Sequence, residues 1–310
     1  MARKPSKRLA LGRGGQWLEL SVTVPASCAE AMAETLVTLG SPGVVEETAA
    51  REGGISEALT PVKLVAAFPM EQVNERLLGA VRQTLDGFGA AVSGRASLAM
   101  QLIDGGAWVE QWKRFYRPFK IGQRLVIRPP WDAYTASADE AVLILNPGQA
   151  FGTGLHATTQ LCLRVIETLS ATRQGANLLD LGCGSGILSL AGVLFGFASA
   201  FGVDVDRLAV WCARANARLN HLMKPVTFRS GSIEVVSGHF EVVVANILLE
   251  PIVAMLAPLH RVIAPGGTVI LSGILASEVP QLQQKLSTHS WRVVQQTSQE
   301  EWAAIVCEEA

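Results

Sequence analysis

The chain has little of what would place it in several broad classes. Its five cysteines, Cys28, Cys162, Cys183, Cys212 and Cys307, form no CxxC pair and no Cys/His cluster at metal-ligand spacing. That argues against a disulfide framework and against a metal site, and it fits a reducing cytoplasm. There is no surplus of either charge: 26 Lys and Arg stand against 27 Asp and Glu, a net charge of -1. No global basic field therefore draws the chain to nucleic acid, and any such contact must be local. The N-terminal MARKPSKRLALGRGG is basic but lacks the apolar core of a signal peptide, and residues 1–14 read as a disordered tail. Ile187 to Val203 carries no charge and approaches the length of a membrane span, about 17 to 25 residues. Gly192, Gly196 and Gly202 interrupt it and Asp204 and Asp206 follow, a context that suits a buried helix and then a buried parallel strand.

What is present is apolar material. With 310 residues, 49% of them hydrophobic, more than one core can be filled, and two domains are expected. In residues 15–105, WLELSVTV (Trp17 to Val24) alternates as a half-buried strand does and Ala26 to Leu39 has helical spacing. Strands around Val44 to Thr48, Val62 to Phe68 and Ser97 to Ile103, with a helix from Glu71 to about Phe88, complete two strand-helix-strand units. These predict a small α+β domain of the ferredoxin-like kind. Residues 106–135 contain WVEQWKRFYRPFKIGQRLVIRPPW, which reads as a linker helix and strand with basic stems covering apolar surface. An aromatic and basic contact surface is the alternative.

From about residue 136 the pattern becomes α/β: apolar strands alternating with helices, as in a doubly wound, Rossmann-like sheet. Seven strands are expected, at Asn177–Asp180, Ala200–Asp204, Val226–Arg229, Phe240–Ala245, Thr268–Ser272, Trp291–Thr297 and Trp302–Cys307. The short SQEE connection between the last two leaves no room for a crossover helix, so they form an antiparallel hairpin at the sheet edge.

Four motifs in this half carry chemistry. In LLDLGCGSGILSLA a strand ends in Asp180 and turns through Gly182, Gly184 and Gly186 into a helix, allowing a ligand close to backbone. Ile187 stands where a dinucleotide fingerprint needs its third glycine. The spacing instead suits a cofactor that presents a methionyl group and a ribose but no pyrophosphate. In FGVDVDRLAV, Asp204 ends the following strand, where a carboxylate can accept both ribose hydroxyls. Asp206 reads as a helix N-cap. Cys183 lies between glycines with no His base, so it reads as structural. In VVVANILLEPI, Asn246 follows a strand at the carboxyl edge of the sheet, the ligand-binding edge of such folds. Its side-chain carbonyl can hold an amine by its protons, and a helix cap is the alternative. In NPGQAFGTGLHATTQLCL, Thr158 and Thr159 open a helix whose N-terminus favours an anion, with plain capping accounting for one of the two, while His156 is a base, a gate or a structural residue.

AFGTGLHATT, DLGCGSGILS, GVDVD, VVANIL and SGIL, in this order, resemble the PrmA family, whose members methylate ribosomal large-subunit protein eleven. The resemblance is dense from Trp108 onward and looser, though compatible in layout, over Trp17 to Ile103. It implies a class I methyltransferase domain over residues 136–310, preceded by a substrate-recognition domain and a linker. It also implies S-adenosyl-L-methionine as cofactor and trimethylation of lysine and N-terminal amino groups. Thr159, Gly182, Asp204 and Asn246 match the family's cofactor contacts by motif position; Gly184 joins them from the glycine loop, and Asn246 also positions the acceptor amine. The chain departs from the family in its basic N-terminal extension and in carrying NILL where NILA is common, which places Leu249 beside the acceptor pocket. A lysine of pKa about 10.4 must be taken neutral for in-line transfer, and desolvation rather than a dedicated base does this. Methylation of another protein lysine or of a small amine, and cofactor binding without turnover, are the rival readings. The basic tail is expected to touch ribosomal RNA weakly; no metal and no membrane are expected.

Overall fold

Alternation in QWLELSVTVP produces the first strand, β1 (Gln16–Pro25), at the start of a computed structural model that describes residues 16–41, 44–48, 61–88, 97–104, 116–147 and 152–310. The chain divides into two units, Met1–Tyr116 and Arg117–Ala310. The tail, residues 1–14, and the expected linker helix around Trp108 and Trp112 lie outside the described residues.

In the first unit β1 pairs antiparallel with both β3 (Pro61–Pro69) and β4 (Ser97–Asp104), and β2 (Val44–Thr48) pairs antiparallel with β3. The order is β2-β3-β1-β4. Leu20, Val22 and Val24 of β1 and Leu64, Ala66 and Phe68 of β3 share one buried face with Met32 and Leu36 of α1 (Ala26–Thr38) and Leu77 and Val81 of α2 (Glu75–Gly87). Their two-residue spacing is what puts them on one side of the sheet. The second helix starts later than the expected Glu71, because Met70–Gln72 form a separate 3-10 turn and Asn74 Oδ1 accepts from Leu77 N at 3.0 Å. That side-chain cap supplies the orphan donor of the first turn and sets the start.

The second unit opens with a three-stranded sheet. β6 (Leu125–Arg128) runs antiparallel to β5 (Phe119–Ile121) and parallel to β7 (Ala141–Ile144), so the later part of the expected linker is built into this unit. Glu167 accepts the backbone N–H groups of Gln123 and Arg124 at 2.9 and 2.7 Å, tying the β5–β6 turn to α3 (Ala157–Ser170).

The large sheet has seven strands: β8 (Asn177–Leu181), β9 (Ser199–Asp204), β10 (Val226–Ser230), β11 (Phe240–Asn246), β12 (Ile263–Leu275), β13 (Trp291–Gln299) and β14 (Trp302–Glu309). Their order is β10-β9-β8-β11-β12-β14-β13. The first five pair in parallel, and β14 is antiparallel to both its neighbours. α4 (Ile187–Leu194) and α5 (Arg207–Leu219) connect β8 to β9 and β9 to β10; α6 (Leu249–Leu259) and α7 (Val279–Thr288) flank β12 in the chain. Ile252, Leu256 and Leu259 of α6 bury against Leu179, Val243, Leu271 and Ile305, each worth roughly 1.5–3 kcal/mol over an exposed side chain. The uncharged stretch from Ile187 to Val203 is split between α4 and β9. No helix among the described residues is long and apolar enough to cross a membrane.

Candidate active site at the carboxyl edge of the sheet

The register of the central strands assembles the site. Leu181 of β8 pairs with Val203 of β9 on one side and Ala245 of β11 on the other, so the next residues, Asp204, Gly182 and Asn246, stand in one row at the carboxyl edge. Adjacent strands lie about 4.8 Å apart, and a ligand laid across this edge meets all three in turn. Gly182 has φ 75°, and a Cβ there would lie 2.4 Å from Ile247 Cγ2, so a side chain is excluded by conformation and by space. Gly184 donates its N–H to Asp204 Oδ2 at 2.9 Å, and Asp206 N donates to Oδ1 at 2.9 Å. Each carboxylate oxygen accepts more than one hydrogen bond, so Asp204 is held in place with acceptor capacity left on both oxygens for a pair of hydroxyls.

Beneath the glycine loop lies Asp180, fully buried. Its Oδ2 accepts from Ser189 N and Oγ at 3.1 and 2.7 Å, while Oδ1 is buried without a hydrogen-bond partner. Burial pushes its carboxyl up to about 7, against the lowering pull of the Ser189 bonds. Asn246 presents the second such oxygen. Its Nδ2 donates to Thr159 Oγ1 at 3.4 Å, and its Oδ1 is buried with no partner. Two orphaned acceptors on one sheet edge, in a protein interior where such atoms are normally satisfied, fit a ligand that brings N–H donors and positive charge. A cofactor with an ammonium, a sulfonium and a ribose has this donor set.

The neighbouring loop is joined to the glycine loop by buried hydrogen bonds. Ser185 Oγ donates to Gly152 O at 2.6 Å. Asn216 of α5 donates from Nδ2 to Ser185 O at 2.9 Å and accepts on Oδ1 from Asn146 N at 3.1 Å. Asn220, one turn on, accepts Ile144 N and donates to Ile144 O. Residues 148–151, which include the first two of the AFGTG element, lie outside the described residues. Sequence reading singled out neither Asn216 nor Ser185. The available signal was a pair of asparagines four residues apart on one helix face, which reads as ordinary helix surface until the fold brings β7 and the loop against it.

The start of α3 differs from the expectation, while Asp206 and Cys183 follow it. The cap of α3 is the ring of His156, which accepts from Thr158 N at 3.2 Å, and neither threonine acts as the cap. Thr158 Oγ1 lies 2.6 Å from the same Nδ1, and Thr159 instead serves Asn246. Burial pulls the His156 imidazole down to about 4, only partly offset by Glu300 and Glu301, and its ring lies 4.9 Å from that of Trp302. With Nδ1 engaged as an acceptor, the ring is a neutral structural element. Asp206 caps α5 through Leu208 N at 2.8 Å, as expected. Cys183 is buried and its thiol is pushed well above its usual range by desolvation, with Asp180 and Asp204 adding to the rise, which leaves no thiolate nucleophile.

A family model described as ribosomal protein L11 methyltransferase (PrmA) matches residues 16–310. The ribosomal protein L11 methyltransferase of Syntrophotalea carbinolica is 38% identical over 269 residues, 84% of this chain and 87% of that protein. That of Syntrophomonas wolfei subsp. wolfei is 33% identical over 307 residues, 94% of this chain and 98% of that protein. Among solved structures, a ribosomal protein L11 methylase from Lactobacillus delbrueckii subsp. bulgaricus is 30% identical with a TM-score of 0.59, covering 63% of this chain and 99% of that chain. The match spans both units and every motif of the sheet edge, and the chain belongs to the ribosomal protein L11 methyltransferase (PrmA) family.

Proposed function

We propose that this chain is a cytoplasmic enzyme that binds S-adenosyl-L-methionine along the row Asp204, Gly182 and Asn246 and methylates lysine and N-terminal amino groups of ribosomal protein L11. The cofactor, when bound, supplies an electrophilic methyl group on a sulfonium. Asp204 orients its ribose, Gly182, Gly184 and Thr159 line its methionyl part, and Asp180 lies beneath the loop as the buried acid. Asn246 is the positioning residue for the acceptor. Because Thr159 takes up Nδ2, the free Oδ1 faces the ligand as an acceptor for an amine N–H, leaving the amine lone pair for bond formation. A neutral amine is needed, and desolvation in the closed edge favours that form over an ammonium of pKa about 10.4.

The strand order of the second unit supports a class I methyltransferase domain with a Rossmann-like sheet, and the order β2-β3-β1-β4 supports a ferredoxin-like first domain. We assign residues 15–105 to recognition of the protein substrate, 106–135 to the linker, 136–310 to catalysis, and the tail, 1–14, to a weak ribosomal RNA contact. The observation that carries the function is the register row Asp204, Gly182 and Asn246, with two buried, unpartnered oxygens beside it, one on Asn246 in the row and one on Asp180, two residues before Gly182. The test is to incubate the protein with labelled S-adenosylmethionine and ribosomal proteins lacking this modification, followed by intact-mass analysis. L11 is expected to gain mass in one-methyl steps, with Asn246→Ala slowing turnover about 100-fold through lost positioning. Labelling of other proteins with L11 unchanged would refute the substrate.

A further inference from the structure

The carboxyl edge is bordered by side chains that the proposed chemistry does not use. β13 and β14 are joined by a two-residue loop, Glu300–Glu301, between the paired Gln299 and Trp302. Glu300 sits at φ 55°, at the first central position of a hairpin where glycine is usual, yet this chain has a carboxylate there. This loop is locked to the site. Trp302 packs on His156 and pairs with Leu275, Ala276 N donates to Glu301 O at 2.7 Å, and Ile247 N donates to Ser272 O at 3.0 Å. Leu155 and Leu248, on two loops of this edge, and Leu275, at the end of β12, are 57%, 66% and 36% exposed, while Asn246 Oδ1 is buried and unpartnered.

The charge of this rim is one-sided. The described segments that border it, residues 152–163, 247–252, 273–280 and 298–303, contain four glutamates, Glu250, Glu278, Glu300 and Glu301, and no Lys or Arg, in a chain that is otherwise nearly balanced; Glu308 and Glu309 lie at the opposite end of β14, against Arg292 and His260. The adjoining Arg164 is turned onto Gln299 and Gln160 by hydrogen bonds. By contrast, residues 207–229 carry five Lys and Arg and no carboxylate.

We propose that the exposed leucines Leu155, Leu248 and Leu275, with Glu300 and Glu301, form the docking rim for the acceptor, a lysine-bearing segment of a basic protein. Its aliphatic stem lies along the leucines, cations next to the modified lysine meet the two carboxylates, and the reacting amine reaches Asn246 Oδ1. The assignment rests on the amine-methylation reading above. Charge placed this way acts on encounter and specificity rather than on the transfer step.

The test uses the full chain with Glu300→Gly, Glu301→Gln and the double variant, titrating L11 as acceptor at low and high salt and measuring cofactor Kd by calorimetry. Each carboxylate removed is expected to raise the acceptor KM about two- to fivefold and to flatten its salt dependence, with kcat and cofactor Kd unchanged. Glu300→Gly is expected to match or exceed the wild-type Tm, since glycine accepts a positive φ without strain; a lowered Tm would not account for a KM effect confined to the acceptor. An acceptor KM and salt dependence unchanged in the double variant overturn the rim. So does a change in cofactor Kd alone, which would assign the carboxylates to the cofactor. A wild-type chain that leaves L11 unmethylated under the same conditions overturns the amine-methylation reading first, and the rim falls with it.

Discussion

Asp180 shows what burial does to a single side chain. Withdrawal from water raises its carboxyl from 3.8 to about 7, although Ser189 donates two hydrogen bonds to it. A folded value above the unfolded one means the native state binds the proton more tightly, so this group's stabilising contribution is present below about pH 4 and is lost as pH rises through about 7. Asp180→Asn is neutral throughout. Its urea midpoint is expected to gain on the wild type between pH 4 and pH 8, while calorimetry at pH 8 shows weaker cofactor binding because the carboxylate is gone; a parallel pH profile for the two proteins would refute the assignment. The position of this acid was legible from LLDLGCGSG, but its protonation was not, because desolvation depends on what the fold stacks around it.

At the scale of elements, helix α5 is bonded to β7 through Asn220 and, through Asn216, to the glycine loop and to Asn146 just past β7. Asn216→Ala would leave the buried Ser185 O without its partner, a cost of about 1–3 kcal/mol, and would release the N–H of the exposed Asn146 to water. Thermal unfolding is therefore expected to drop, and cofactor Kd to rise more than kcat falls. An unchanged Kd would make the bridge purely structural. Far along the same domain, His260 stacks on Trp291 with ring centroids 4.4 Å apart, and its nitrogens meet Glu309 Oε1 at 2.6 Å and His289 O at 2.8 Å. Burial lowers its pKa, but the bonds to Glu309 and to the His289 carbonyl outweigh burial and raise it. Because the folded value is raised, its stabilisation is full below about pH 6.5 and is lost as pH climbs through the folded value. His260→Gln is expected to lower Tm more at pH 5.5 than at pH 9, and an equal loss at both would exclude a charged imidazole. Histidine read from sequence carries no such signal, since Glu309 lies at the far end of the chain.

For the whole molecule, the net charge of -1 hides a basic tail, a basic stretch over residues 207–229 and a pair of carboxylates, Glu300 and Glu301, on the hairpin between β13 and β14. Deleting residues 1–14 is expected to leave the L11 KM unchanged while weakening, and making less salt-dependent, any binding to ribosomal RNA in a filter assay; identical binding with and without the tail would remove that contact. Local pattern by itself placed the four strands and two helices of the first unit and the seven strands of the large sheet, because two-residue alternation, glycine turns and caps act within a few residues of chain, but it did not give the three-stranded sheet of β5, β6 and β7. It also located Gly182, Asp204 and Asn246, since each follows a strand whose apolar run is visible in sequence. Only tertiary structure decided that these three share one register row, that β14 enters between β12 and β13, that the ring of Trp302 packs on His156, and that Glu300 and Glu301 border the carboxyl edge. Those outcomes depend on pairing and desolvation between residues tens to more than a hundred positions apart, and no local pattern encodes them.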